Sequence, residues 1–162
     1  MIRPLVLIVA LVVTLSLLAQ SRIDAGVSIG QQGYENYSDD PRVLTSIETL
    51  MRRDPFNVQV ALEYANLADA GKMFALHNSV LYRYELGSNF AVIGGAGATY
   101  LNIGTESGRL TWNASAEVAY HWDRAEVFAR VRQYDFTVDG FRSHTSPEGP
   151  AVYLGMRFVV RR

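Results

Sequence analysis

Cysteine is absent from this sequence of 162 residues, so no disulfide can hold the folded chain together. Lysine is almost absent as well, because Lys72 is the only one and the other basic residues are arginines. A soluble sheet usually covers its wet face with many lysines and glutamates, and this chain lacks that cover. The fifteen basic residues do not exceed the sixteen acidic ones, so no positive excess would attract nucleic acid.

Long apolar runs are missing too, except within the first 21 residues. Arg3 gives this segment a positive start, Leu5 to Leu18 is almost wholly apolar, and Ala19-Gln20-Ser21 puts small residues at the −3 and −1 positions of a cleavage site. The apolar run has 14 residues, whereas a membrane-spanning helix needs about 18 or more. We therefore interpret residues 1–21 as a signal peptide and residues 22–162 as one domain, with an uncleaved anchor as the alternative.

Alternation of apolar and polar residues is what the rest of the chain contains. Every second residue from Phe56 to Tyr64 is apolar, and Leu110 to Trp122 repeats the pattern. Because successive side chains of a strand point to opposite faces, a period of two predicts strands. Weaker versions of the pattern cover residues 23–34, 74–84, 90–103, 125–132 and 152–160.

One segment, Arg42 to Arg53, fits two structures. Val43, Thr45 and Ile47 are in phase for a strand, whereas Asp40-Pro41 would make a good start for a helix. We favour the strand, because it brings the count to eight and bacterial single-chain barrels close with even numbers of strands. The predicted fold is all-β: an eight-stranded antiparallel up-and-down transmembrane β-barrel.

The connections between these strands support the same topology. Outer-membrane barrels have short turns at the periplasmic end and longer loops at the outer end, so long and short connections should alternate along the chain. The longer connections are predicted at Glu35–Asp40, Ala65–Gly71, Gly104–Gly108 and Thr137–Gly149, and the short turns at Arg53–Pro55, Gly87–Asn89 and Asp123–Arg124.

The position of the aromatic residues favours a membrane barrel over a soluble lipocalin-like barrel that would carry an apolar ligand. Trp112 and Trp122 are ten residues apart in phase, which is roughly 26 Å along the barrel axis for a strand tilted by about 40°. An apolar band of about 25 Å between two aromatic girdles is typical of outer-membrane barrels. The predicted girdle residues are Phe56, Tyr64, Phe74, Tyr82, Tyr84, Trp112, Tyr120 and Trp122.

Polar residues occupy the opposite phase of the strands, which we interpret as the interior of the barrel. An eight-stranded barrel leaves room only for side chains, and buried charges must pair because an unpaired buried charge is costly. We expect a structural plug, with a conducting pore or proton path as the alternative. The predicted interior network consists of Glu63, Arg83, Glu117, Arg130, Arg132 and Arg157.

The signal peptide, the eight short strands and three short motifs together resemble the small outer-membrane β-barrel superfamily, which includes the OmpA-type and OmpX-type barrel domains. The motifs are Gly94-Gly95-Ala96-Gly97, Arg132-Gln133-Tyr134-Asp135-Phe136 and Tyr153-Leu154-Gly155-Met156-Arg157-Phe158. The resemblance implies an exported protein of the bacterial outer membrane that contacts lipid and lipopolysaccharide. It also implies insertion by the barrel assembly machinery and a possible external partner for the loops.

One cluster in the last long loop suggests chemistry. A His-x-Ser pair near the end of a small barrel resembles the lipid A deacylases, which implies His144 as base, Ser146 as nucleophile and Glu148 as the orienting carboxylate. Short polar residues beside Pro147 are also ordinary loop composition. A non-enzymatic barrel is therefore the leading hypothesis. No zinc spacing or nucleotide fingerprint is present, so neither a metal nor a cofactor is predicted.

Overall fold

The structure, a computed structural model, describes residues 22–34, 42–66, 71–104, 108–134 and 147–161. These residues form eight strands joined by short connections. The strands are β1 (Arg22–Tyr34), β2 (Arg42–Arg53), β3 (Phe56–Asn66), β4 (Lys72–Leu86), β5 (Phe90–Ile103), β6 (Arg109–Trp122), β7 (Ala125–Tyr134) and β8 (Pro147–Arg161).

Each strand pairs with its neighbours in the chain, and β1 also pairs with β8, so the sheet closes into a barrel. All eight pairings are antiparallel. Closure leaves no strand edge open for pairing with another chain. The predicted eight-stranded up-and-down topology is confirmed, including the strand over Arg42–Arg53, for which the even count outweighed the local helix signal.

Three short turns lie at one end of the barrel, which we call the turn end. They are formed by residues 54–55, 87–89 and 123–124. Arg22 pairs with Arg52 beside the first turn, and Ile23 pairs with Arg161, so β1 starts and β8 ends at the turn end. We call the opposite end the loop end.

The last strand begins earlier than the sequence indicates. The predicted loop Thr137–Gly149 overlaps β8, because Pro147 pairs with Tyr34 and the next residue pairs with Gly33. The β1–β8 ladder shifts register between Gln31 and Gly33, and this irregularity lets the two strands continue pairing towards the loop end.

Side chains alternate between the two faces of the wall, as the period-two pattern requires. In β4 the odd-numbered residues from Met73 to Arg83 are buried in the barrel, and the even-numbered residues from Phe74 to Tyr82 are exposed outside. The outer surface is therefore apolar, while the interior contains the buried charges together with buried apolar side chains, unlike a soluble barrel that carries an apolar ligand. No described helix is long and apolar enough to cross a membrane.

The wall is closely packed where β4 meets β5. A Cβ on Gly97 would lie 2.0 Å from the backbone oxygen of Asn78, and a Cβ on Gly95 would lie 2.1 Å from that of Val80. Both distances are far inside van der Waals contact, so this approach of the two strands requires glycine at the two positions. The Gly-Gly-Ala-Gly motif thus has a packing role in the wall.

Candidate functional site: the charged interior

The interior of the barrel contains equal numbers of positive and negative side chains among the described residues. Five carboxylates and five guanidiniums are buried there, each at most 9% exposed. An isolated charge in such a place would be strongly unfavourable, so the pairing of opposite charges is what makes this interior possible. The ten residues are Asp24, Glu48, Glu63, Glu117, Glu126, Arg52, Arg83, Arg130, Arg132 and Arg157.

Two arginines hold the centre of this interior. The guanidinium of Arg130 donates to both oxygens of Glu48, at 2.7 and 3.0 Å, and to Glu117 at 2.7 and 2.9 Å. Arg157 bonds to the same two glutamates and also donates to Glu126 at 2.6 Å. Such charge-assisted, multidentate bonds are the strongest hydrogen bonds that side chains make. They join β2, β6, β7 and β8 across the lumen.

Arginines at the turn end extend the network towards the barrel mouth. Arg52 pairs with Asp24 and lies 2.9 Å from Glu126, while Arg83 lies 2.8 Å from the same glutamate. The network therefore continues without a break from the centre of the lumen to its turn end. We call the eight residues concerned the ionic cluster: Asp24, Glu48, Arg52, Arg83, Glu117, Glu126, Arg130 and Arg157.

An aromatic ring and a glycine make room for the central guanidiniums. The guanidinium carbons of Arg130 and Arg157 lie 4.5 and 4.0 Å from the ring centre of Phe128, which allows cation–π contact with both. Gly26 lies beneath the stem of Arg157, because a Cβ on this glycine would be 2.7 Å from Arg157 Cγ. Phe128 and Gly26 thus give the two central guanidiniums their places in the lumen, and buried apolar side chains occupy other parts of it.

A different arrangement surrounds Glu63 in the loop-end half of the interior. Tyr134 donates its hydroxyl to one carboxylate oxygen at 2.7 Å, and Tyr153 donates to the other at 2.6 Å. His77 and Arg132 each lie 3.6 Å from the second oxygen. We call these five residues the Glu63 cluster. It contains one carboxylate and one guanidinium, and its remaining partners are neutral or aromatic.

A hydroxyl, an imidazole and a carboxylate lie in a row in this cluster. Thr99 Oγ1 is 2.9 Å from His77 Nδ1, and the other ring nitrogen of His77 faces Glu63. The order is that of a nucleophile, a base and an orienting acid. All three side chains are fully buried, however, so no substrate reaches the hydroxyl. We interpret the row as part of the packing of the lumen.

Gln59 joins the two clusters. Its amide nitrogen donates to Glu48 at 2.9 Å, and its amide oxygen accepts from Arg132 at 3.0 Å. Gln59 is fully buried, so both bonds are shielded from water. One neutral side chain therefore connects the ionic cluster with the Glu63 cluster.

All six residues of the network that the sequence indicates lie inside the barrel. Glu117, Arg83, Arg130 and Arg157 belong to the ionic cluster, whereas Glu63 and Arg132 form a pair of their own nearer the loop end. The residues of the two clusters and of the link between them that the sequence did not assign to the network are Asp24, Glu48, Arg52, Gln59, His77, Glu126, Tyr134 and Tyr153.

The eight girdle residues face outward and form two groups at opposite ends of the outer surface. Phe56 contacts Tyr82 at the turn end, and Tyr64 contacts Phe74 at the loop end, with ring centres 5.6 and 5.2 Å apart. Phe90, which the prediction omitted, contacts Tyr120. Tyr84, Tyr120 and Trp122 belong to the turn-end group, and Trp112 belongs to the loop-end group.

The hydrolase alternative falls mostly on residues that the structure does not describe. His144 and Ser146 lie outside the described residues, as does the segment 1–21 that we interpret as a signal peptide. Glu148 belongs to β8, where its backbone pairs with Gly33. Within the described part of the chain, no group of three or more histidine, aspartate or glutamate side chains is arranged to hold a metal ion.

A closed eight-stranded barrel with a ring-bordered apolar exterior and a filled, charged interior is a small transmembrane β-barrel. Solved structures with this fold include designed transmembrane β-barrels, at 15% identity and a TM-score of 0.61 over 86% of this chain and 95% of theirs. Neisserial surface protein A is similar at 11% identity and a TM-score of 0.58, over 86% of this chain and 96% of that one.

The N-terminal β-barrel domain of Pseudomonas aeruginosa OprF is similar at 13% identity and a TM-score of 0.58, over 86% of this chain and 98% of that one. No protein-family model and no curated protein matches the sequence. The chain thus has the fold of the small outer-membrane barrels, as its resemblance to the OmpA and OmpX types predicts.

Proposed function

We propose that this protein is an integral barrel of the bacterial outer membrane, exported with a signal peptide that is then removed, and that its role is structural or one of surface interaction. The observation that carries the proposal is the distribution of polarity. Val, Leu, Ile and ring side chains are exposed on the outer face, while ten charged side chains are buried inside. Acyl chains are the surroundings in which such an outer face is stable.

A sealed lumen is the second part of the proposal. Arg130, Arg132 and Arg157 fill the centre of the barrel and are at most 1% exposed. Their positive charges are balanced by buried carboxylates, so the buried charges of the described residues sum to zero and would not select an ion. An eight-stranded barrel has room for side chains and little else, which favours a plug over a pore.

The loops carry the interactions in this proposal. With the turn end in the periplasm, the loop end of the barrel faces the cell exterior. Contact with lipopolysaccharide at the outer leaflet, assembly by the barrel insertion machinery and an external partner for the loops all follow from this placement.

Two matched substitutions test whether the outer face contacts lipid. Val60 lies midway between the outward rings of β3, whereas Val160 lies at the turn end of β8. Val60→Arg should lower the stability of the barrel in vesicles by about 2–4 kcal/mol, and Val160→Arg by about 0–1 kcal/mol. Urea titrations followed by tryptophan fluorescence measure both. Equal losses, or a wild-type protein that stays monodisperse without detergent, would exclude a lipid-facing surface.

The sealed lumen is tested in planar bilayers. The purified, refolded barrel should give no steady current above that of the lipid alone, because ion-paired side chains fill its cross-section. Heat-modifiable migration on gels provides the control that the sample is folded. Reproducible channels from the folded sample would show that the interior opens, which would contradict the proposal of a sealed lumen.

A further inference from the structure

Four buried polar side chains form a series of hydrogen bonds that leads to the Glu63 cluster. Ser79 donates its hydroxyl to Asn113 Oδ1 at 3.1 Å, and Asn113 Nδ2 donates to Thr99 Oγ1 at 2.8 Å. Thr99 Oγ1 in turn lies 2.9 Å from Nδ1 of His77. All four side chains are at most 1% exposed, so water does not compete for these bonds. We call Ser79, Asn113, Thr99 and His77 the Ser79 series.

The Ser79 series has a direction, because a hydroxyl carries only one hydrogen. Thr99 accepts from Asn113, and among the described residues Nδ1 of His77 is the acceptor left for the hydrogen of Thr99. In the neutral ring the hydrogen is then on Nε2, which faces the Glu63 carboxylate at 3.6 Å. The other neutral form would direct a lone pair of Nε2 at that carboxylate. The contacts therefore select a neutral His77 that is protonated on Nε2.

A second proton on His77 would reverse this direction. Nδ1–H becomes a donor to Thr99, so the hydrogen of Thr99 needs a different acceptor. The amide oxygen of Asn113 provides one if the amide turns over, because its oxygen and nitrogen exchange places with almost no change in shape. Asn113 Nδ2 then donates to the hydroxyl oxygen of Ser79. Both directions keep every bond of the series, so the same four side chains fit the neutral and the protonated ring.

The charges around His77 give this proton an effect on one half of the interior. With a neutral ring, the single carboxylate and the single guanidinium of the Glu63 cluster balance each other, whereas a protonated ring leaves one positive charge in excess. The ionic cluster contains no histidine and keeps its balance. The titratable and charged groups that face His77 from the other strands are Glu63 on β3, Arg130, Arg132 and Tyr134 on β7, and Tyr153 on β8.

We propose that the Ser79 series is a proton-sensitive switch in the loop-end half of the barrel. Its hydrogen bonds run from Ser79 towards His77 when the ring is neutral, and from His77 towards Ser79 when the ring is protonated. The amide of Asn113 is the part that turns over between the two states. The switch depends only on contacts inside the barrel, so it goes beyond the membrane role proposed above and does not rest on it.

Nitrogen NMR of the folded barrel in vesicles, with labelled histidine and asparagine side chains, tests both states. His77→Gln identifies the His77 signals among those of the three histidines. At neutral pH, His77 should have a hydrogen on Nε2 and none on Nδ1. On acidification, Nδ1 should gain a hydrogen at the same midpoint at which the Asn113 amide signals shift. A hydrogen on Nδ1 at neutral pH, a ring that stays neutral wherever the barrel is folded, or Asn113 signals that do not follow the titration would overturn the proposal.

Thr99→Val separates the switch from a direct effect of charge, because it removes the hydroxyl that joins His77 to Asn113 and nearly keeps the shape of the side chain. Protonation of His77 should then leave the Asn113 signals unshifted. Thr49→Val, on the outward face of β2 and outside the Ser79 series, is the matched control and should keep the shift. A shift that survives in Thr99→Val would show that charge acts through space, which refutes the switch. Heat-modifiable migration checks the folding of each variant, and the wild-type titration needs no variant at Thr99.

Discussion

The two halves of the interior solve the same electrostatic problem in different ways. In the ionic cluster every central arginine contacts two or three carboxylates, and Glu48 and Glu117 each contact both Arg130 and Arg157. In the Glu63 cluster a single carboxylate accepts hydrogen bonds from Tyr134 and Tyr153 and has only one guanidinium near it.

This contrast shows where charge is essential to the packing. In the ionic cluster the charges compensate one another, so the removal of one arginine leaves several carboxylates with fewer partners. In the Glu63 cluster neutral hydroxyls provide the shortest contacts to the carboxylate, at 2.6 and 2.7 Å, whereas the guanidinium lies 3.6 Å away. Loss of charge should therefore be more costly at the turn end than at the loop end.

The largest expected effect follows from Arg157→Met. This change removes partners from Glu48, Glu117 and Glu126 at once, and breaking a buried ion pair from one side typically costs about 3–5 kcal/mol. Urea titration in vesicles measures the loss. Arg53→Met, at an exposed arginine beside the first turn, is the matched control and should change stability by less than about 0.5 kcal/mol. A loss no larger than that of the control would mean that the ionic cluster does not stabilise the barrel.

A smaller effect is expected from Glu63→Gln. The amide can still bond to Tyr134 and Tyr153, but Arg132 loses its buried carboxylate, so we expect a loss of about 2 kcal/mol. Glu85→Gln, which neutralises a half-exposed carboxylate in an ion pair with Arg83, should cost less than about 1 kcal/mol. If Glu63→Gln destabilises the barrel as much as Arg157→Met does, the proposed contrast between the two halves is wrong.

The sequence predicts the barrel well because its signal is periodic. Alternation over β3 and β6 is long enough to define strands, and the parity of the count identifies β2 despite its helix-like start at Asp40-Pro41. The alternation of short and long connections then supports the up-and-down order of the strands. The start of β8 is the exception, since Pro147 is a turn-forming residue that nevertheless pairs with Tyr34, and Gly149 lies within β8 where the register of the β1–β8 ladder shifts.

The pairs within the interior were harder to predict, because the phase of a strand says which side chains point inward and not which ones meet. Glu48 meets Arg130 across 82 residues of sequence, and no local pattern encodes that contact. Tyr134 and Tyr153 were also hard to assign to the interior, because aromatic residues in a membrane barrel usually indicate the outer girdles. The phase of these two residues in their strands was the signal that they point into the lumen.

The smallest predicted effect concerns Gln59, the link between the two halves. Gln59→Leu removes one hydrogen bond each from Glu48 and Arg132, which keep their other partners, so the expected loss is about 1–2 kcal/mol. Asn57→Leu is the matched control, since this buried amide lies on the same face of β3 and makes no hydrogen bond to either cluster.

A double-mutant cycle shows whether Gln59 transmits an effect between the halves. Arg157→Met and Glu63→Gln should deviate from additivity by more than about 0.5 kcal/mol in the wild-type background, because groups joined in one hydrogen-bond network couple even without direct contact. In the Gln59→Leu background the deviation should fall below that value, whereas in the Asn57→Leu background it should persist. Additive effects in all three backgrounds would mean that the two clusters are energetically independent, and that the hydrogen bonds of Gln59 fill space between them without coupling them.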